Sequence, residues 1–183
     1  DDINTKKKKT DILVSLINSE NWKYILAEFS IYSTYPQFEF AAYSIRKLTE
    51  CALKEPKTVS YILDLLVKIL KSNRSVIVAE VVIVLRTLLQ INVHNVENKN
   101  QFDLSSIIQR LIILFDNVSE PVARESIVWL VSEYCRELPH LAPDMLRLAA
   151  RSFCNDITNV KHQTLNLAAR LVAINDSETV HAL

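Results

Sequence analysis

The side chains that could do chemistry are few, and they are dispersed. Acid–base catalysis needs two carboxylates held together in a concave pocket, but Glu39, Glu50, Glu80, Glu125 and Glu133 are spread along most of the chain, at exposed or interhelical positions. His94, His140, His162 and His181 stand singly and read as surface residues rather than as bases or metal ligands. Cys51, Cys135 and Cys154 lie far apart with no C-x-x-C spacing, which fits reduced thiols in a cytosolic protein better than a disulfide framework or a zinc site. Glycine is absent from all 183 residues, where average usage of about 7% would supply roughly a dozen. Phosphate loops, dinucleotide turns and G-x-S-x-G elbows all rely on glycine to bring backbone N–H groups close to a ligand, so they are excluded. No catalytic, cofactor or metal site is expected, and the chain reads as non-enzymatic.

The elements that would have to position any site are helical. Hydrophobic residues make up 49% of the chain, enough for a sizeable core, and the missing glycines argue against hairpin-rich β folds. The 21 basic and 21 acidic side chains cancel, so net charge calls for neither a nucleic-acid nor an anionic-membrane partner. Lys6-Lys7-Lys8-Lys9 precedes a short apolar stretch that starts after Asp11 and has no small-residue cleavage site. Residues 1–10 are therefore expected to be a mobile, solvated basic lead-in, the rival reading being a nuclear or lipid-directed patch. Glu80 interrupts the longest apolar run, so no membrane span is expected. The first residue is Asp1 rather than Met, and a fragment of a longer protein is expected.

One pattern recurs four times: Phe40-Ala41 then Ile45 and Leu48; Val78-Ala79 then Ile83; Val122-Ala123 then Ile127 and Leu130; Val160 then Leu165. Its starts are 38, 44 and 38 residues apart, close to the period of about 40–47 of HEAT and armadillo helix pairs. The longer step carries the polar insert Asn92 to Gln101, read as a surface loop. Each pattern follows a second apolar segment: Trp22 to Phe29, Val59 to Leu70, Leu104 to Phe115 and Met145 to Phe153. The spacing predicts an all-α solenoid of about four helix pairs over residues 11–183, with inner helices near 36–53, 76–91, 121–138 and 159–173. Thr58, Asp103 and Ser119 or Glu120 sit where N-caps belong, and Pro121 and Pro143 near first helical turns.

Two readings test the helical period. Val76 to Ile91 is rich in β-branched residues, which locally favours a strand, but about sixteen residues exceed the usual strand of five or six and suit an inner helix covered on several sides. From Val122 onward, Ala123, Ser126, Ile127, Leu130, Val131, Tyr134 and Leu138 fall on one helical face. Val122 and Ile127 are accordingly placed in the core, where aspartate should unfold the chain. Arg124 is placed on an exposed rim, where alanine should be near neutral. Apolar end faces meant for neighbouring repeats are read at Leu13, Val14, Leu16 and Ile17, and at Leu167, Leu171 and Val172.

The residues also carry a resemblance. Phe38-Glu39-Phe40-Ala41-Ala42 through Ile45-Arg46 and Cys51-Ala52, the run Val76 to Leu85 followed by Leu88-Leu89-Gln90, Pro121-Val122-Ala123-Arg124 with Trp129-Leu130, and Leu141-Ala142-Pro143-Asp144 all contribute. With Val160-Lys161, Gln163 and Leu165-Asn166-Leu167, they resemble the trunk of β-adaptins, the β-type large subunits of heterotetrameric vesicle adaptor complexes, most of all those of the third complex type. The likeness runs in order from about Lys9 to Ala173, with Thr49, Ser132 and Ala168 where relatives commonly carry glycine. It implies a cytosolic coat subunit, peripheral on Golgi, endosome or coated-vesicle membranes, that sorts cargo towards lysosomes or vacuoles. Medium, small and second large adaptor subunits are the implied partners, with a small-GTPase contact elsewhere in the trunk and membrane association through the assembled complex. The alternative is another HEAT-repeat scaffold, such as a nuclear transport receptor or a phosphatase scaffold. Arg124, Trp129 and Lys161 are the candidate partner-binding residues. Packing against the adjoining repeat is the competing reading of Trp129.

Overall fold

The computed structural model describes residues 2–70, 75–92 and 104–174, and among them it holds nine α-helices and no strand. They are α1 (Ile3–Leu16), α2 (Trp22–Ser33), α3 (Phe38–Lys54), α4 (Val59–Leu70), α5 (Ser75–Asn92), α6 (Leu104–Leu114), α7 (Pro121–Glu133), α8 (Leu141–Ser152) and α9 (Thr158–Ile174). The chain divides into two compact units, Asp1–Phe102 and Asp103–Leu183. Positions 71–74 and 93–101, the cap at Asp103, and His94 and His181 lie outside the described residues.

In the first unit α2 pairs with α3 and α4 with α5, and the inner helices stack α1 on α3 on α5. In the second, α6 pairs with α7 and α8 with α9, and α7 stacks on α9. These are the four expected pairs of HEAT/armadillo type, with α1 added to the inner layer. The mobile lead-in over residues 1–10 is thereby corrected, since Lys6 to Lys9 lie within α1. Asp2 caps the helix by accepting from the Asn4 amide at 3.3 Å, and Thr10, Val14 and Ile17 turn one side of it into the core. Lys6 lies over the Tyr35 ring, 4.3 Å from its centroid, and donates to the Tyr35 hydroxyl at 2.9 Å. Lys7 pairs with Glu39 and lies near the Tyr43 ring. Lys6 and Lys7 thus anchor their charges on α3 and the turn before it.

The Val-rich segment is a helix for the reason its length implies. In α5, Ile77, Val78, Ala79, Val81, Val82, Val84, Leu85, Leu88 and Leu89 are all buried, because α3 covers one side and α4 another. Contact from several directions offsets the modest helix propensity of valine.

The predicted α7 overshoots. The α-helix stops at Glu133, Tyr134 takes φ −101° and ψ 17°, and a 3₁₀ turn, Cys135–Glu137, carries the chain to Leu138, which is non-helical at φ −128° and ψ 54°. Pro139 keeps Leu138 out of the α region, so the helix could not have run on through 138. Cys135 and Leu138 still reach the core. Other local expectations also shift. Helix α8 begins four residues earlier than the segment read from Met145. Thr58 closes a 3₁₀ turn, Pro56–Thr58, that runs directly into α4, and its hydroxyl donates to the Glu55 carbonyl at 2.7 Å. Glu120 occupies the N-cap position of α7 without a side-chain bond. Of the end-face residues, Val14, Ile17, Leu167 and Leu171 are buried, and Leu16 and Val172 are exposed.

The inner helices share a further feature that hydrophobicity does not reveal. Thr10, Ser44, Ser126 and Thr164 are buried, and each donates to the carbonyl four residues earlier, on Lys6, Phe40, Val122 and Val160, at 3.0, 2.9, 2.7 and 2.9 Å. In three of them the acceptor is the residue that starts the repeat pattern. The equivalent position of α5 is Val82.

Candidate interaction surface

Ion pairs tie neighbouring inner helices together, and they account for most of the carboxylates considered above. Glu39 pairs with Lys7, Glu80 with Arg46 at 3.1 Å and Glu133 with Arg170 at 3.0 Å, each across two helices. Glu50 pairs with Lys47 on its own helix at 2.6 Å. Lys47 also reaches Asp11 of α1 at 3.1 Å, and the Tyr43 hydroxyl donates to the same carboxylate at 2.6 Å. The Tyr43 bond, with help from Lys47, holds the Asp11 carboxyl below the usual range. The Glu50 bond first, and then Asp11, raises Lys47 above the ordinary lysine value. Such networks fix helix register. Among the described residues no three His, Cys, Asp or Glu side chains gather as metal ligands.

The thiols divide by burial. Cys51 and Cys135 are buried and Cys154 is exposed, and burial pushes the Cys51 thiol up to about 12.

Arg124 is not a rim residue. Its side chain is 11% exposed and that of Asp156 is 10% exposed. All five guanidinium N–H donors find acceptors. Nε and Nη2 donate to the two Asp156 carboxylate oxygens at 2.9 and 3.3 Å, and Nη2 donates to Ser152 Oγ at 2.8 Å. Nη1 donates to the Phe115 and Val118 carbonyls at 2.9 and 3.2 Å, and the guanidinium carbon stands 3.9 Å from the centre of the Phe115 ring. A single residue near the start of α7 therefore joins the α6–α7 connection to the α8–α9 turn. The expected near-neutral Arg124→Ala is corrected on this geometry. So is the core placement of Val122, which is 47% exposed at the second position of α7, whereas Ile127 is fully buried as expected.

Lys161 serves the same turn as Arg124. From the first turn of α9 its Nζ donates to the Cys154 carbonyl at 3.1 Å and lies 5.9 Å from the Phe153 ring centre. Trp129 is half-buried on α7, five residues and hence about 140° around the helix from Arg124. The structure thus brings Arg124 and Lys161 to one turn and places Trp129 elsewhere. Asp156 and Ser152 were missed by the sequence reading. The available signal was an acid in the turn one repeat beyond a basic residue at a helix start.

No described helix is long and apolar enough to cross a membrane. The family model for the adaptin N-terminal region matches residues 1–183. The chain belongs to the adaptins. This adaptin chain is 36% identical over 174 residues to mouse AP-3 complex subunit beta-1, covering 95% of the chain and 15% of the relative. It is 33% identical over 191 residues to the AP-3 complex subunit beta of Dictyostelium discoideum, covering 90% and 17%. Against mouse AP-1 complex subunit beta-1 the identity is 25% over 179 residues, covering 98% and 18%. The adaptin chain therefore spans less than a fifth of the length of these relatives.

Proposed function

We propose that this adaptin chain is a trunk segment of the β-type large subunit of an AP-3-like adaptor complex, a non-enzymatic scaffold in vesicle-mediated cargo sorting from Golgi or endosomes to the lysosome or vacuole. The observation that carries this reading is the match of the adaptin model to the whole chain, together with the higher identity to AP-3 than to AP-1 beta subunits. Stacked helix pairs suit the role because they expose long rows of side chains on rigid elements. The partners are medium, small and second large adaptor subunits. Membrane association is indirect, through the assembled complex, and the small-GTPase contact lies elsewhere in the trunk. We assign partner contact to Trp129 and Lys161, with Arg124 contributing from inside the fold by holding the turn that Lys161 engages.

Affinity capture of the full-length protein that carries this chain, followed by mass spectrometry, tests the assignment. Recovery of medium, small and second large adaptor subunits is the expected result. Their absence from a capture that recovers the intact protein would overturn it.

A further inference from the structure

Within the second unit α7 and α9 run parallel and are held at both ends, but by different chemistry. At the start of α7, Arg124 reaches Ser152 and Asp156, which lead into α9, and this cluster is nearly excluded from water. At the other end, Arg170 of α9 donates to the Ser132 carbonyl at 3.0 Å and pairs with Glu133 at 3.0 Å, with side chains 48% and 35% exposed. A desolvated charge whose donors are all used tolerates little displacement, because moving any acceptor leaves a buried group unpaired. A half-exposed pair can exchange its partner for water at little cost.

We infer that Arg124 is the fixed pivot of the α8/α9 pair against the α6/α7 pair, and that the Arg170–Glu133 end is the adjustable one. The carbonyls of Phe115 and Val118 define where the guanidinium stands, and Asp156 and Ser152 dock the next helix pair onto it. Ser152 Oγ in turn donates to Asp156 at 2.7 Å, so the carboxylate is held from two sides. The angle between the two pairs is set at this cluster, and changes in angle are read out at the far ends of α7 and α9. Arg124 is thus a positioning residue for every surface on α8 and α9.

Nitroxide pairs on the whole 183-residue chain test the pivot, in a Cys154→Ser background because Cys51 and Cys135 are buried. Exposed Glu120 and Thr158 report the pivot end, and exposed Arg136 and Ala173 report the far end. Asp156→Ala should broaden both distance distributions, by at least twofold at the pivot end. Glu133→Ala should broaden the far end alone. Ser152→Ala, which leaves the ion pair in place, should give a smaller broadening at both ends, and it decides the matter if Asp156→Ala does not fold. An unchanged pivot-end width in Asp156→Ala, or in Ser152→Ala where that variant decides, would overturn the inference. So would equal broadening of both ends by Glu133→Ala.

Discussion

Replacing Arg124 by alanine should cost about 3 kcal/mol of folding stability. Removing one member of a buried ion pair typically costs about 3–5 kcal/mol, because the other charge is left desolvated without its partner. Each side chain here is about one-tenth exposed, and Asp156 keeps the Ser152 hydroxyl as a donor, which places the cost at the lower end. Loss of the bonds to the Phe115 and Val118 carbonyls and of the contact with the Phe115 ring acts in the same direction, but these effects overlap and do not add. For a chain of this size about 3 kcal/mol corresponds to roughly 6–12 °C in melting temperature. Circular-dichroism melts of three variants make the assay specific. Ile127→Asp should not fold, because it places a charge in a fully buried site. Val122→Asp should stay within about 0.5 kcal/mol of wild type, since the residue is exposed and an acid in the first turn suits the helix dipole. A melting temperature for Arg124→Ala within about 1 °C of wild type would refute the reasoning, as would a collapse of Val122→Asp alongside Ile127→Asp.

Three further outcomes are expected. The Asp11 carboxyl has a lowered value in the folded state, so its contribution is present above the unfolded carboxylate value near about 4 and disappears as pH falls through the lowered one. Asp11→Asn should therefore flatten the acid limb of melting temperature against pH, and an unchanged limb would contradict the assignment. Alkylation at pH 8 followed by mass spectrometry should modify Cys154 alone in the folded chain and reach Cys51 and Cys135 only after denaturation. Val82→Thr should cost less than about 1 kcal/mol despite full burial, because the new hydroxyl can reach the Val78 carbonyl as Ser44, Ser126 and Thr164 reach theirs, and a loss above about 2 kcal/mol would count against that geometry.

Periodicity located the helices well because the apolar spacing that defines them is the same spacing that buries them. Ile45, Leu48, Ile127 and Leu130 are fully buried, and the length of the run from Val76 correctly outweighed its β-branched composition. The misses have separate physical causes. Buried Leu138 keeps the helical period and so extends the predicted α7 to 138, although Pro139 dictates a non-helical backbone at that residue. Val122 stands in the repeat pattern where Phe40, Val78 and Val160 stand, all of them buried, but as the second residue of its helix it is 47% exposed. Arg124 was misjudged because helical phase gives the angle of a side chain and says nothing of its reach. A guanidinium can extend past the helix end, and its partner Asp156 is 32 positions away. The lysines of α1 were misread for a related reason, since their anchoring rings belong to Tyr35 and Tyr43, far along the chain.

The buried hydroxyls of the inner helices bear on how such an array can change over evolutionary time. Each of Thr10, Ser44, Ser126 and Thr164 is satisfied by a carbonyl of its own helix, so no adjoining pair has to supply an acceptor. These hydroxyls therefore place no demand for an acceptor on a neighbouring pair, and the ion pairs that do cross between successive pairs, Arg46–Glu80 and Arg170–Glu133, are part-exposed, so that water can replace a lost partner. The Arg124 cluster is the opposite kind of junction. It draws acceptors from the connection before α7 and from the turn before α9, so it commits one particular pair to one particular successor. Modular joints and a dedicated joint therefore coexist in this chain, and insertion between α7 and α8 is the change that its chemistry would resist most.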